Sequence, residues 1–302
     1  MMMIAFLSGG TGTLPLLLGM RRLLHDREMA VIVTTADAFP LSGGHMLGSA
    51  DAVMFLFAGI LNTSTWSGIL GDTYATHRYL GTLGRPEPLA VGDRERAVQI
   101  ARADLLRSGM TLTAATEALA GSLSLSAAIL PATDVPVRAM VRTDGGLLPF
   151  PLWQTADNRE PEGIVLEHNG PLVATDTAIS ALRDSDAVII GPSEPAGGIL
   201  PILACSGVKE ALSDTFVIAV SPFTGSRDGS GPEGRLMRAE GLESSSQGVF
   251  SLYRDFCDLF VQDVRDSADV EGALRIDTRL HTPARCESLA WDLMAIVRRS
   301  SG

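Results

Sequence analysis

The stretch Met3–Thr13, MIAFLSGGTGT, limits what this chain can fold into more than any other. A short apolar run breaks into a loop of three glycines and two threonines, and LPLLLGMRRLL follows at once. Leu14, Leu17, Leu18 and Leu24 recur with the spacing of one helix face, while Arg21, Arg22 and Asp26 fall largely elsewhere, so Leu14–Leu24 reads as an amphipathic helix. Pro15 suits its first turn, where no backbone donor is needed. VIVTTAD, at Val31–Asp37, is a second buried strand that ends on an acid. Strand, glycine loop, helix, strand predicts a parallel pair joined by a right-handed crossover.

The same rhythm continues. Ala50–Leu61, Gly71–Leu80, Asp93–Ser108 and Thr113–Leu123 carry helical patterns, with Asp93 expected as an N-cap. Ala127–Leu130 resumes strand character, and Val137–Thr143 and Leu147–Trp153 flank the hairpin signal Asp144-Gly145-Gly146. Ala187–Ile190 and Phe216–Val220 are further buried strands. Helices are expected at Val208–Ser213, Gly231–Gly241 and about 285–299. The fold class is therefore α/β: a Rossmann-like, mostly parallel sheet with helices on both faces. No repeat or long linker interrupts it, so one domain over 1–302 is expected, with a mostly helical insertion at about 62–125 over the active site.

Composition narrows the partners. The net charge is −11, which argues against a nucleic-acid backbone as partner. No apolar run approaches the roughly 18–20 residues of a membrane-spanning helix, and the apolar start lacks the charged flank of a signal peptide. Cys205, Cys257 and Cys286 are scattered and odd in number, as expected for a reducing, cytoplasmic compartment. Lys209 is the single lysine, so a phosphate clamp here would be a guanidinium. The apolar C-terminal half predicts a homodimer.

In open parallel sheets, ligands lie beyond the carboxyl ends of the strands. Five loops that follow apolar runs are polar and rich in Gly or Pro: SGGTGT, TADAFPLSGG, LPATDVP, GPSEP and SPFTGSRDGSGP. Together they predict a long polar site. The opening loop lacks the Lys of a GxxxxGK[ST] nucleotide loop. A GxGxxG dinucleotide pattern starting at Gly10 would need Gly or Ala at position 15, where Pro15 stands; Asp37 could still mimic its ribose-binding acid. What remains is a third kind of phosphate site, built from backbone N–H groups, two hydroxyls and a helix N-terminus.

With these loops in order, the sequence resembles the 2-phospho-L-lactate transferase family of coenzyme F420 biosynthesis, over roughly residues 3–295. The motifs that carry the likeness are FLSGGTGT, VIVTTAD, ADAVMFLFAGI, WSGILGDTY, LGTLGRPEPLAVGDRERA, ILPATDVPV, IIGPSEP with LPILACSGVKEAL, VIAVSPFTG with SGPEGRLM, and SSQGVFSLYRDFCDLFV. The resemblance implies a guanosine diphosphate ester of a three-carbon acid as donor, the ribityl hydroxyl of the deazaflavin Fo as acceptor, GMP as leaving group, and Mg²⁺. It implies that Gly9, Gly10, Thr11, Gly12 and Thr13 hold the diphosphate. Asp51 would act at the acceptor or the metal, and Arg94 at Fo or phosphate. Asp134 would make a polar contact, Pro192, Ser193 and Pro195 would form the guanosine-side loop, and Arg235 would offset diphosphate charge.

Several positions depart from the family pattern. Its two-acid segment ISPDLDT reads LGSADA here, so Ser49 replaces an acid and Asp37 becomes a candidate to assist the metal. PSNP reads PSEP, placing Glu194 on the guanosine side, and Val135 replaces another acid. An alternative reading is a non-catalytic regulator of the same fold that binds a nucleotide or nucleotide-sugar. The family's deazaflavin-facing segments, matched at Trp66–Ala97, favour the transferase.

Overall fold

The computed structural model describes residues 2–156, 159–225 and 231–300. The first half contains β1 (Ile4–Ser8), α1 (Leu14–Met20), β2 (Met29–Val33), β3 (Ala38–Leu41), β4 (Gly44–Leu47) and α2 (Gly48–Phe57). A helical run follows: α3 (Ala75–Thr82), α4 (Asp93–Arg107) and α5 (Leu112–Ser122). Then come β5 (Ala128–Pro131), β6 (Val137–Thr143), β7 (Gly146–Pro149), α6 (Phe150–Ala156), β8 (Gly163–His168) and α7 (Asp176–Arg183). The remainder is β9 (Ala187–Ile190), α8 (Leu200–Leu203), α9 (Val208–Ser213), β10 (Val217–Val220), α10 (Pro232–Ala239), α11 (Ser246–Tyr253), β11 (Leu259–Asp263), β12 (Leu274–Ile276) and α12 (Pro283–Ser300).

Seven strands form one parallel sheet in the order β12-β11-β10-β9-β1-β2-β5. β1, β2, β9 and β10 are buried on both faces, which is why they read as unbroken apolar runs rather than alternating ones. Successive side chains of β1 serve different layers. Ile4 and Phe6 join α1, α2 and α12 in one core, and Ala5 and Leu7 join α7, α9 and α11 in the other. The α/β fold with helices on both faces is thus as expected from the sequence.

Three local outcomes differ from the sequence-based expectation. The strand expected through Trp153 stops at Pro149 and turns into α6, because Pro151 cannot donate to a ladder and fits a first helical turn. A hairpin, β3-β4, turns at Ser42 and Gly43, both at positive φ, the geometry a two-residue hairpin turn requires. The caps of α3 and α4 are exchanged. Asp93 is the first residue of α4, and Gly92 is its N-cap. The Asp93 carboxylate accepts instead from the Ala75 and Thr76 amides of α3, both at 2.9 Å. Asp72, just ahead of α3, accepts from the Arg94 and Glu95 amides of α4, at 3.0 and 3.1 Å. Each helix is held by an acid from the other, which starts α3 at Ala75 instead of Gly71.

Candidate functional site

The strand order reverses between β1 and β9: β2 and β5 lie to one side, β10, β11 and β12 to the other. A crevice opens beyond the carboxyl ends at such a point. Here the loops after β1 and β9 meet backbone to backbone. A Cβ at Gly9 would overlap the Gly198 backbone, and one at Gly12 would overlap the Pro192 carbonyl. Ser193 Oγ accepts from the Gly9 amide at 3.1 Å and shares a 2.6 Å hydrogen bond with Thr13 Oγ1. Gly10 stands apart: its φ of 132° is open to glycine, and nothing lies where its Cβ would be. The three glycines thus have two duties, two closing the loops together and one facing open space.

That space is a cavity of about 750 Å³, within the usual range for small-ligand sites. Gly9, Gly10, Thr11, Gly12, Asp37, Asp51 and Pro192 line it. Trp66, Met46, Phe55, Leu89 and Val91 give it an apolar wall. Four of the five rim loops contribute. Residues 226–230 of the loop after β10 lie outside the described residues, but Pro222 and Thr224 reach the cavity.

Other candidates sit elsewhere. Thr13 and Ser193 are buried and fix the loop rather than line the cavity, and Pro195 opens a buried π-helical turn at Pro195–Ile199. Asp134, after the edge strand β5, lines a second groove of about 690 Å³ and accepts from the Thr113 amide at 2.7 Å. Arg94 is exposed, and its guanidinium donates to the Leu70 carbonyl at 2.7 Å beside Asp72. Arg235 lies over the Trp153 ring, 5.4 Å from its centroid, near Glu160. Trp153 and Phe39 pack in small cores.

The α4 helix explains how Asp51 is held. Its buried face is polar: Arg96, Gln99 and Arg102, spaced by three. Arg96 makes a two-pronged bridge to Glu87, at 2.9 and 2.6 Å. Burial alone would raise the Glu87 carboxyl, but hydrogen bonds from Arg96, Ser42 and His77 outweigh it and bring it down to about 2. Arg102 is fully buried; it donates to both Asp51 carboxylate oxygens and, at 3.0 Å, to the His45 carbonyl. Burial, and then the Arg102 charge, lower the pKa of His45. Arg102 carried no motif signal. The one trace in the sequence was a stripe of polar residues on the face where α4 should have been apolar.

Three other carboxyls at the cavity are pushed up by burial. Asp37 rises to about 6, with the Asp51 charge adding to burial and hydrogen bonds from Ser49 opposing it. Its Oδ2 accepts from the Ser49 amide at 2.6 Å, whereas its Oδ1 is buried with no partner. Glu95 rises to about 7, through burial and then the charges of Asp51 and Asp72. Glu194 also rises to about 7: burial dominates, the facing Glu233 adds to it, and amides of Ala196, Gly197 and Gly198 oppose it.

Among the described residues no three His, Cys, Asp or Glu side chains converge as a metal cage. Magnesium does not need one, since it commonly leans on one or two carboxylates and takes its other ligands from water and substrate phosphate. The unpartnered Asp37 Oδ1 fits that demand, and an ion at Asp51 would share its carboxylate with Arg102.

Residues 4–271 match the family model described as 2-phospho-L-lactate transferase CofD. The chain belongs to the 2-phospho-L-lactate transferase CofD family. A relative of that name from Methanocorpusculum labreanum is 46% identical, covering 98% of this chain and 100% of its own length. Another from Methanospirillum hungatei is 44% identical, covering 97% and 99%. As a CofD family member the chain is a transferase. Its fold is similar to the crystal structure of a UPF0052 family protein from Bacillus halodurans, with a TM-score of 0.56 at 14% identity, covering 96% of this chain and 90% of that one. Among the described residues no helix is long and apolar enough to cross a membrane.

Proposed function

We propose that this protein carries out the transfer for which its relatives are named, in coenzyme F420 biosynthesis, moving a 2-phospho-L-lactyl group from a guanosine diphosphate ester to the ribityl hydroxyl of the deazaflavin Fo and releasing GMP. The observation that carries the reading is the joint wall of one cavity. A phosphate-type loop, Gly9–Gly12, faces two buried acids, Asp37 and Asp51, with an apolar wall at Trp66, Phe55 and Val91. The loop amides suit a diphosphate. The apolar wall suits a flat ring system, for which Trp66 is the stacking candidate.

Phosphoryl transfer asks mainly for positioning and charge neutralisation, not for a covalent nucleophile. The hydroxyl oxygen attacks the phosphorus that bears the lactyl group, and the bond from that phosphorus to the oxygen of GMP breaks. Gly10 to Gly12 hold the diphosphate while Pro192 closes the loop from the β9 side. Asp37 Oδ1 would hold Mg²⁺, which when bound would neutralise phosphate charge. Arg102 keeps Asp51 fixed at the cavity wall, and Thr13 and Ser193 keep the loop in shape. Phosphoenolpyruvyl and phosphoglyceryl donors would present the same diphosphate. Mass analysis of the product formed from Fo with each donor tests the reading: a phospholactyl-Fo mass with release of GMP supports it. No adduct with any of the three donors, in the presence of Mg²⁺, refutes it.

A further inference from the structure

We infer that Glu95 takes the proton from the attacking hydroxyl; the assignment rests on the transferase reading above. Asp51 is the acid that the family motif points to, but the Arg102 guanidinium occupies both of its oxygens, and the Leu47 amide approaches Oδ2 at 3.4 Å. With both oxygens on the guanidinium, Asp51 is committed to a buried ion pair, and giving up that pair would strand the Arg102 charge. Asp37 has one oxygen on the Ser49 amide, and its other, Oδ1, is the one assigned above to the metal.

Glu95 differs from both. It is the third residue of α4, and Asp72 fixes its backbone amide at 3.1 Å. Its carboxylate lines the same cavity as Gly10–Gly12 and Asp51. One oxygen receives a long, 3.4 Å, hydrogen bond from Gln99 Nε2, and the carboxylate also draws on the Gly92 amide at the start of the helix. The other lies beside Gly68, in the Trp66–Gly68 turn that also lines the cavity. The turn carries Trp66 at a φ of 55° and Gly68 at 69°, and the missing Cβ at Gly68, which would stand 3.3 Å from the Glu95 oxygen, leaves that oxygen uncrowded. Burial is the largest influence on Glu95 and favours its protonation, Asp51 of α2 and Asp72 ahead of α3 add to it, and the Gly92 amide and then Arg96 on its own helix oppose them. A carboxylate near neutrality in a cleft matches the demand on a general base.

The step balances within these groups. The hydroxyl oxygen bonds to the lactyl-bearing phosphorus, the hydroxyl proton passes to Glu95, and GMP departs with the electron pair of the broken P–O bond.

The test is steady-state kinetics of the wild type, Glu95→Gln and Glu95→Asp with Fo and the phospholactyl donor. Glu95→Gln should lower kcat about 100-fold or more, with the KM of the donor and the thermal shift given by GDP unchanged. Glu95→Asp, which retains a shorter carboxylate, should fall between. Wild-type kcat should climb with pH to a plateau above about 7, since the base must be ionised, and that limb should vanish in Glu95→Gln. A Glu95→Gln enzyme within threefold of wild type, or one that keeps the limb, overturns the assignment. So does loss of the GDP-induced shift, which would make Glu95 a structural residue. Wild-type enzyme that forms no adduct from any donor removes the transferase reading and the assignment together, whereas wild-type product with an unaffected Glu95→Gln removes the assignment alone.

Discussion

Arg102→Met isolates the buried ion pair under the cavity. The side chains of Arg102 and Asp51 are 0% and 2% exposed. Removing the guanidinium leaves Asp51 charged, buried and without its cation, and also strips a donor from the His45 carbonyl. Breaking one half of such a pair costs about 3–5 kcal/mol. At roughly 2 °C per kcal/mol for a chain of this size, the thermal midpoint should drop by about 6–10 °C. The double variant Asp51→Leu, Arg102→Met removes both charges at once, and replacement of a buried pair by apolar groups is often neutral or stabilising. Differential scanning calorimetry of the four proteins closes the cycle. A single-variant drop below about 2 °C, or a double variant that loses the sum of the two single losses, would mean that the pair is not coupled as described.

Three further outcomes follow from the geometry. Gly12→Ala should weaken GDP binding at least tenfold by titration calorimetry, because the added methyl would meet the Pro192 carbonyl and part the two loops. Asp72→Ala should lower stability by about 1–2 kcal/mol in urea unfolding, the cost of a helix cap, since it removes the acceptor for the Arg94 and Glu95 amides. Glu194 is raised to about 7 by burial. An acid raised on folding stabilises most below its unfolded pKa, and that contribution is lost as pH rises through the folded value. The unfolding free energy of the ligand-free protein should therefore fall between pH 5 and 7 by up to about 1.4 kcal/mol per pH unit, lowering the thermal midpoint, and Glu194→Gln should flatten the fall. A midpoint that rises over that interval would contradict the burial of this carboxyl.

The sheet was legible because buried parallel strands have a plain signature. Val31–Val33, Ala187–Ile190 and Val217–Val220 are apolar on both faces and end in polar loops, and position follows from pattern alone. The phosphate-type loop was legible for a similar reason, since glycines in sequence report close backbone approach. The partners of charged side chains were not. Asp93 has the sequence position of a cap for α4, yet it serves α3, because the segment between the two helices folds back and sets Thr73 and Thr76 beside it. Arg94 follows a family motif but spends its guanidinium on Leu70 and Asp72. Arg102 lies 51 residues from Asp51 along the chain, and no local rule links positions that far apart. LPATDVP looked like any other rim loop, but its strand is at the sheet edge, so Asp134 faces a different groove.

The seam at Gly9 and Gly198 bears on how a ligand is received. Those two backbones touch across the boundary where the sheet changes direction, and they leave no room for one loop to slide past the other. A diphosphate would meet a receptor already set, so little ordering entropy is charged against its affinity at that end. The apolar wall at Trp66–Gly68 and Leu89–Val91 rests on a lighter footing, because the α3 helix between those two segments buries none of its residues and is held by the Asp93 carboxylate.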